Sequence, residues 1–348
     1  MTPSGQGGST DLTDIAVVRD RLERWSRARY GHDVRVPETW PMPGNAGVSF
    51  GFDVVPPQLD PVPLVIRLSP PGVRRRGNTD VLRQVPLLRT LGEAGIPVAR
   101  VVWSSGDPAW FGTDAVVQER LAAWPLHMWD GALSHPAADT GSDPFVDQAV
   151  DTLAAIHRTA WAERLGDWEP VRSLASELDF WGRLLSRCGE PAWIEDGARL
   201  RDALMDRQPD GSPVGIFHGD YQTNNVLYDE SGLLVGVVDW EISGLGPQLL
   251  DLGWLSIFTD PSCWDPSYVA GMRVAAEPQA VRSRYEEARR RKVEGFDYFR
   301  ALACFRFGAI GAFNVRLHRT GRRVDASYER IAPSVSTLFE RGLALVAA

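Results

Sequence analysis

Between Gly215 and Asp239 the chain passes twice from apolar strand to polar turn, and this stretch restricts the possible folds more than any other. Gly215-Ile216-Phe217 reads as a short strand end. His218-Gly219-Asp220-Tyr221-Gln222-Thr223-Asn224-Asn225 follows as a polar cluster, and the chain then returns to apolar residues at Val226. Val226–Tyr228 and Leu233–Val238 form two short strands, with Asp229-Glu230-Ser231-Gly232 supplying the turn residues between them. Asp220 begins the cluster and Asn225 ends it, so a compact loop can direct both side chains into one cleft. The hairpin then returns Asp239 beside Asn225.

The rest of the chain falls into two halves of different character. An amphipathic helix is expected over Ile15–Tyr30, where Ile15, Val18, Leu22 and Trp25 recur at helical spacing. A Pro/Gly-rich stretch at Pro37–Gly47 leads to strands at Val48–Val55 and Val62–Leu68, a helix at Asp80–Ala94, and strands at Val98–Trp103 and Asp114–Glu119. This order implies a small, mostly antiparallel sheet with one helix on it. Beyond Ala122 helical patterns dominate, at Phe145–Thr159, Leu174–Arg187, Glu195–Gln208, Tyr285–Arg291 and Phe296–His318, with an exposed loop at Pro136–Pro144. The expected organisation is a flexible tail at residues 1–12, a sheet lobe at 13–122 and a helical lobe at 123–348, with the cleft between the lobes as the site.

Composition narrows the classes of function. A net charge of −8 argues against a nucleic-acid partner, which would want a basic surface. No apolar run approaches the ~18 residues of a membrane span, and the N-terminus lacks a secretory pattern, so a cytoplasmic protein is expected. Cys188, Cys263 and Cys304 are too scattered for a disulfide framework or a zinc site. Lys292 is the only lysine, so a phosphate contact usually made by lysine must here be made by something else.

Phosphoryl transfer needs a group to orient the attacking hydroxyl, oxygens to hold magnesium and cations on the phosphates. Asp220, Asn225 and Asp239 answer the first two needs, since magnesium takes hard oxygen donors and completes its shell from nucleotide and water. The sequence His218-Gly219-Asp220 with Asn225 five residues on, then Val238-Asp239-Trp240-Glu241 and Gly246–Gly253, resembles the aminoglycoside phosphotransferase and choline kinase-like family. The resemblance is strongest to its phosphotransferase enzyme branch, which includes kinase domains fused to acyl-CoA dehydrogenases. It extends to Leu153-Ala154-Ala155-Ile156-His157 and to the helix from Phe296.

This resemblance implies an α+β, bilobal protein kinase-like fold with a small antiparallel N-lobe sheet and a larger, mainly helical C-lobe. It implies Asp220 as the base or hydroxyl-orienting group, His218 as a member of the catalytic loop, Asn225 and Asp239 as Mg2+ ligands, and Asp251 as support for the loop. In the N-lobe it implies Arg67 as the cation on the phosphates of ATP or GTP, with Ser49, flanked by Gly47 and Gly51, in the loop above them. Glu119–Leu121 is then the hinge whose backbone meets the nucleotide base. The residue opposite Arg67 is Gln84 where the family has a glutamate, with Asp80 and Glu93 as alternatives; a neutral amide can hydrogen-bond the guanidinium without neutralising it.

Two readings follow. One is a small-molecule kinase acting on a hydroxyl of a metabolite or antibiotic, a monomer or homodimer with no nucleic-acid or membrane partner. The other is a kinase-like nucleotide-binding module of weak or no activity. A protein kinase is disfavoured because the gap from Asp239 to Asp251 is too short for a peptide-binding segment. Trp124, Trp129 and Trp181 are candidates for a substrate pocket, with core packing as the simpler role. The run Arg282–Lys292 reads as a solvated helix laced by i, i+4 ion pairs.

Overall fold

The computed structural model describes residues 12, 14–42, 48–75, 77–141 and 143–347, and these divide into one compact unit ending at Ala122 and a second beginning at Ala123. The tail expected at residues 1–12 lies outside the described residues except for Leu12, which is buried in the core of the first unit.

The first unit contains α1 (Ile15–Tyr30), β1 (Thr39–Pro41), β2 (Val48–Val54), β3 (Val62–Leu68), α2 (Gln84–Glu93), β4 (Val101–Ser105), α3 (Pro108–Phe111) and β5 (Ala115–Glu119). The strands form an antiparallel sheet in the order β1-β2-β3-β5-β4. Alternation decides which face is buried: Leu64, Ile66 and Leu68 of β3 point into the core with Phe50, Phe52 and Val54 of β2. The apolar stripe of α1, with Val18, Leu22 and Trp25, covers that core. Asp14 caps α1 by accepting from the Ala16 N–H at 2.9 Å.

Strand β1 falls within the stretch expected to be irregular. Its Trp40 explains Gly51, because a Cβ at position 51 would lie 2.6 Å from the indole. Gly51 is therefore a strand residue whose missing side chain admits the indole ring. Ser49 is likewise inside β2, and its carbonyl accepts from the Met42 N–H at 2.9 Å across the β1–β2 hairpin. Gly47, the other glycine beside Ser49, lies outside the described residues.

The second unit contains β6 (Trp124–Pro125), α4 (Asp143–Ile156), α5 (Ala162–Leu165), α6 (Leu174–Leu185), α7 (Pro191–Asp206), β7 (Val214–Phe217), β8 (Val226–Tyr228), β9 (Leu234–Val237) and β10 (Gly244–Pro247). It continues with α8 (Leu249–Thr259), α9 (Pro266–Val269), α10 (Pro278–Arg289), α11 (Phe296–Arg319) and α12 (Ser327–Ala347). Every residue of α8 is buried, as expected of a helix that is apolar all round. It packs against α11 at Gly253, where a Cβ would stand 2.2 Å from the Phe299 carbonyl oxygen.

Two small antiparallel sheets, β7-β10 and β6-β8-β9, carry the polar cluster between them in sequence. Pairing of Val226 with Val237 fixes the hairpin register. The segment expected as an exposed loop at Pro136–Pro144 instead contains a 3-10 turn at Pro136–Thr140 and the first residues of α4. The helix α12, without a counterpart in the sequence reading, carries Pro333 inside it. Arg282 and Glu286 form the expected i, i+4 pair at 2.9 Å, and Glu286 also meets Lys292 at 2.6 Å. Among the described residues no helix is long and apolar enough to cross a membrane.

Candidate active site

The loop from His218 to Asn225 is held by buried groups at nearly every residue. Asp251, fully buried on α8, accepts from the His218 N–H at 2.6 Å and the Gly219 N–H at 2.7 Å. The sequence calls for glycine at 219 because its φ is +89° and a Cβ there would sit 2.7 Å from the Ile242 carbonyl. The Tyr221 hydroxyl donates to the Ala149 carbonyl at 2.7 Å, tying the loop to α4.

His218 is wholly buried, and its Nδ1 accepts from the Asp220 N–H at 3.1 Å. The proton must then be on Nε2, which lies 2.8 Å from the Val238 carbonyl. The imidazole therefore joins the start of the loop to the end of the β8–β9 hairpin, a bridging role that its position alone did not reveal.

Asp251 also lies 3.3 Å from His157 Nε2, while His157 Nδ1 is 2.6 Å from the Tyr285 hydroxyl. Burial holds the His157 imidazole below its usual pKa, and burial raises that of the Tyr285 phenol. A neutral Nε2–H imidazole accepting from Tyr285 and donating to an ionised Asp251 satisfies all three. Burial by itself would raise the Asp251 carboxyl, but the hydrogen bonds from the His157 imidazole and the His218 backbone N–H outweigh it and hold the carboxyl low.

Asp220 is half-buried, and both of its oxygens are engaged. Its Oδ1 accepts from Gln222 Nε2 at 2.9 Å and Trp254 Nε1 at 2.8 Å, and its Oδ2 from Asn225 Nδ2 at 2.9 Å. Burial pushes its carboxyl up and the charge of Asp239 adds to this, while the Trp254 and Gln222 donors oppose it. Asn225 Nδ2 also donates to the Asp220 carbonyl at 2.9 Å. With its nitrogen so used, Asn225 keeps its amide oxygen without a hydrogen bond among the described residues.

Asp239 follows β9 and is exposed, with φ +64°, a left-handed conformation uncommon for a non-glycine residue. The Val238 N–H donates to the Asn225 carbonyl at 2.9 Å, which fixes Asp239 next to the end of the loop. An exposed carboxylate beside an unused amide oxygen is a donor set that fits magnesium, a cation that keeps several waters and uses few protein ligands. No cluster of three or more His, Cys, Asp or Glu side chains suited to a metal occurs among the described residues.

In the first unit Arg67 lies on the central strand β3, opposite Ser49 of β2 and Val116 of β5. Its Nη1 is 3.5 Å from Oε1 of the buried Gln84, the first residue of α2. That separation is the outer limit of a hydrogen bond, so the contact is a loose one. Asp80, an alternative partner, instead accepts from the Arg83 N–H at 3.1 Å. Glu119 ends β5 and pairs with Arg100 at 2.8 Å, and the next residue, Arg120, donates its N–H to the Pro63 carbonyl at 3.1 Å. The Leu121 N–H has no partner among the described residues.

Of the three candidate tryptophans, Trp181 is a core residue, donating to Glu177 at 2.9 Å with Arg306 over its ring, while Trp124 is exposed. Trp129 is half-buried against Tyr268 and Trp264. Sequence reasoning missed Trp254, Gln222 and Arg306, although Trp254 lies three residues after Asp251 on the same face of one helix.

A sheet unit with an arginine on its central strand facing an amide on α2, and a helical unit with an Asp–Asn loop and a following Asp, define a kinase-like phosphotransferase. The profile of the phosphotransferase enzyme family matches residues 45–290, and the chain belongs to that family. The family is the aminoglycoside phosphotransferase-like class, in which the acceptor is an alcohol group.

The chain is similar to Probable acyl-CoA dehydrogenase IBR3 of Arabidopsis thaliana, 27% identical over 202 residues, covering 55% of this chain and 24% of the relative. It is similar also to acyl-CoA dehydrogenase family member 11 of Mus musculus, 24% identical over 305 residues, covering 81% of this chain and 37% of the relative. The chain thus spans well under half the length of these curated relatives. A candidate aminoglycoside phosphotransferase of Ralstonia eutropha JMP134 has the same fold, with a TM-score of 0.74, 20% identity and coverage of 93% of this chain and 98% of that one. The fold is accordingly the bilobal α+β kinase-like fold.

Proposed function

We propose that the chain is a magnesium-dependent small-molecule kinase, transferring the γ-phosphate of ATP or GTP to a hydroxyl group oriented by Asp220. The observation that carries this reading is the Asp220 carboxylate held by the Asn225 amide, with Asp239 fixed beside them by the β8–β9 ladder. Asp220 accepts the hydrogen of the attacking hydroxyl, and a pKa raised by burial makes it a better acceptor than an ordinary surface carboxylate. Asn225 Oδ1 and the Asp239 carboxylate would hold the Mg2+. When bound, that ion would neutralise charge that develops on the phosphate oxygens. Arg67 binds the nucleotide phosphates through its fork of donors, and the free Leu121 N–H meets the nucleotide base. His218 and Asp251 keep the loop in shape.

The acceptor is a small hydroxylated metabolite or antibiotic. Similarity to proteins named as acyl-CoA dehydrogenases adds hydroxyacyl thioesters to the compounds to be tried. We place the activity in the cytoplasm, in keeping with three buried free cysteines.

Asp220→Ala and Asp239→Ala proteins should lose Mg2+-dependent nucleotide turnover by about 100-fold or more. Turnover at the wild-type rate in either variant rejects the assignment. The loose Arg67–Gln84 contact favours a second reading, a nucleotide-binding module without transfer. A phosphorylated product detected by mass spectrometry in a panel of hydroxylated compounds rejects that one.

A further inference from the structure

An ionised carboxylate offers about four lone-pair sites, two on each oxygen. On Asp220 the Trp254 and Gln222 donors occupy both sites of Oδ1, and Asn225 occupies one on Oδ2. A single acceptor site remains, on Oδ2. Orienting a hydroxyl requires only that a carboxylate be ionised and aimed, so the donors on Oδ1 call for a separate explanation.

Trp254 is a costly donor to place there. Its ring is 2% exposed and packs 5.3 Å from Phe258 and 5.8 Å from Phe307. Arg306 of α11 stands over it at 4.9 Å and donates to the Gly219 carbonyl at 3.0 Å. That arginine is 1% exposed, and its Nε and Nη1 make no hydrogen bond among the described residues. Glu177 lies 3.9 Å from its Nε and meets the charge, but a guanidinium with two nitrogens making no hydrogen bond is costly to bury. Asp251 and Trp254, three residues apart on α8, thus grip the loop twice, one by its backbone and the other by its reactive side chain. Arg306 braces the second grip against the loop carbonyl.

We infer that Trp254, backed by Arg306, is a positioning residue that fixes the rotation of the Asp220 carboxylate, so that the acceptor hydroxyl meets it only at Oδ2, on the side of Asn225. The inference rests on the role of Asp220 proposed above. A carboxylate free to rotate would present either oxygen, and the hydroxyl would be held in line with the phosphate for a smaller share of the time.

The test uses the full chain with MgATP and water as acceptor, and reads kcat, the KM for MgATP and the melting temperature. Trp254→Phe removes the N–H and keeps a ring. We expect kcat to fall about ten- to a hundredfold, the worth of a hydrogen bond to a charged group, while KM stays within about twofold and the protein stays folded. Arg306→Lys should show the same split to a smaller degree, and it decides the matter if Trp254→Phe does not fold.

A second measurement does not depend on turnover. The indole resonance in 15N-tryptophan spectra that is absent from Trp254→Phe, or most displaced in Arg306→Lys, should move in Asp220→Asn as its acceptor loses charge. An unmoved resonance overturns the inference. So does wild-type kcat in the deciding variant, or a parallel loss of kcat, KM and melting temperature there. Wild-type turnover in Asp220→Asn would instead remove the proposed function itself, so the two failures are distinguishable.

Discussion

At the scale of single residues the most consequential group is Asp251, a carboxylate that does no proposed chemistry. It satisfies two backbone N–H groups of the loop and the His157 imidazole in a fully buried setting. Asp251→Asn replaces one acceptor with a donor facing another donor, so it should cost on the order of 3 kcal/mol of stability and also reduce turnover. Calorimetry together with the nucleotide assay checks both. The pH dependence follows from the same cluster. His157 and Asp251 both have pKa values lowered on folding, so both take up protons more readily in the unfolded chain. Their contribution to stability is complete above the unfolded values and is lost as pH falls. The melting temperature should therefore decline below about pH 6.5 as the unfolded imidazole charges, and further below about pH 4. His157→Gln should flatten the first part of that decline, and an unchanged profile would reject the role given to the imidazole.

At the scale of elements the site depends on how closely α8 and α11 approach. Asp251 and Trp254 come from α8 and Arg306 from α11, and Gly253 is where the two backbones meet. Gly253→Ala would push a methyl against the Phe299 carbonyl, which cannot move aside as a side chain end could. The expected cost is about 1–3 kcal/mol, with turnover falling because the helices separate at the site. Gly271→Ala, at a position with open space around it, is the matched control and should change stability by less than about 0.5 kcal/mol. Chemical denaturation of the pair separates crowding at the helix contact from a general effect of replacing glycine.

At the scale of the whole molecule the nucleotide links binding to stability. A ligand at 100 times its dissociation constant stabilises by about 2.7 kcal/mol, so MgATP or MgGTP should raise the melting temperature by several degrees. Arg67→Ala should remove most of that rise, measured against the variant's own melting temperature without nucleotide. A rise of wild-type size in Arg67→Ala would exclude it from the phosphate site. The net charge of −8 opposes adventitious binding to nucleic acid, which simplifies such titrations.

The sequence by itself determined the main strands and helices of each half, short of β1 and α12, and the identities in the polar loop. Periodicity of 2 and 3.6 is a local property, so α1 and β3 were readable residue for residue, and Asp220, Asn225 and Asp239 stood out by spacing. What it left dark had non-local causes. β1 is three residues with a terminal proline, and only pairing with β2 makes it a strand. Ser49 and Gly51 fell in an expected strand, but only the ladder placed one opposite Arg67 and only packing set the ring of Trp40 beside the other. Trp254 was one of thirteen tryptophans until folding brought its N–H to Asp220 from thirty-four positions away. Hydrophobic spacing records which way a side chain faces, whereas which atom it meets there is fixed by the packing of distant segments, and only the tertiary structure decided that the polar loop is gripped through α8.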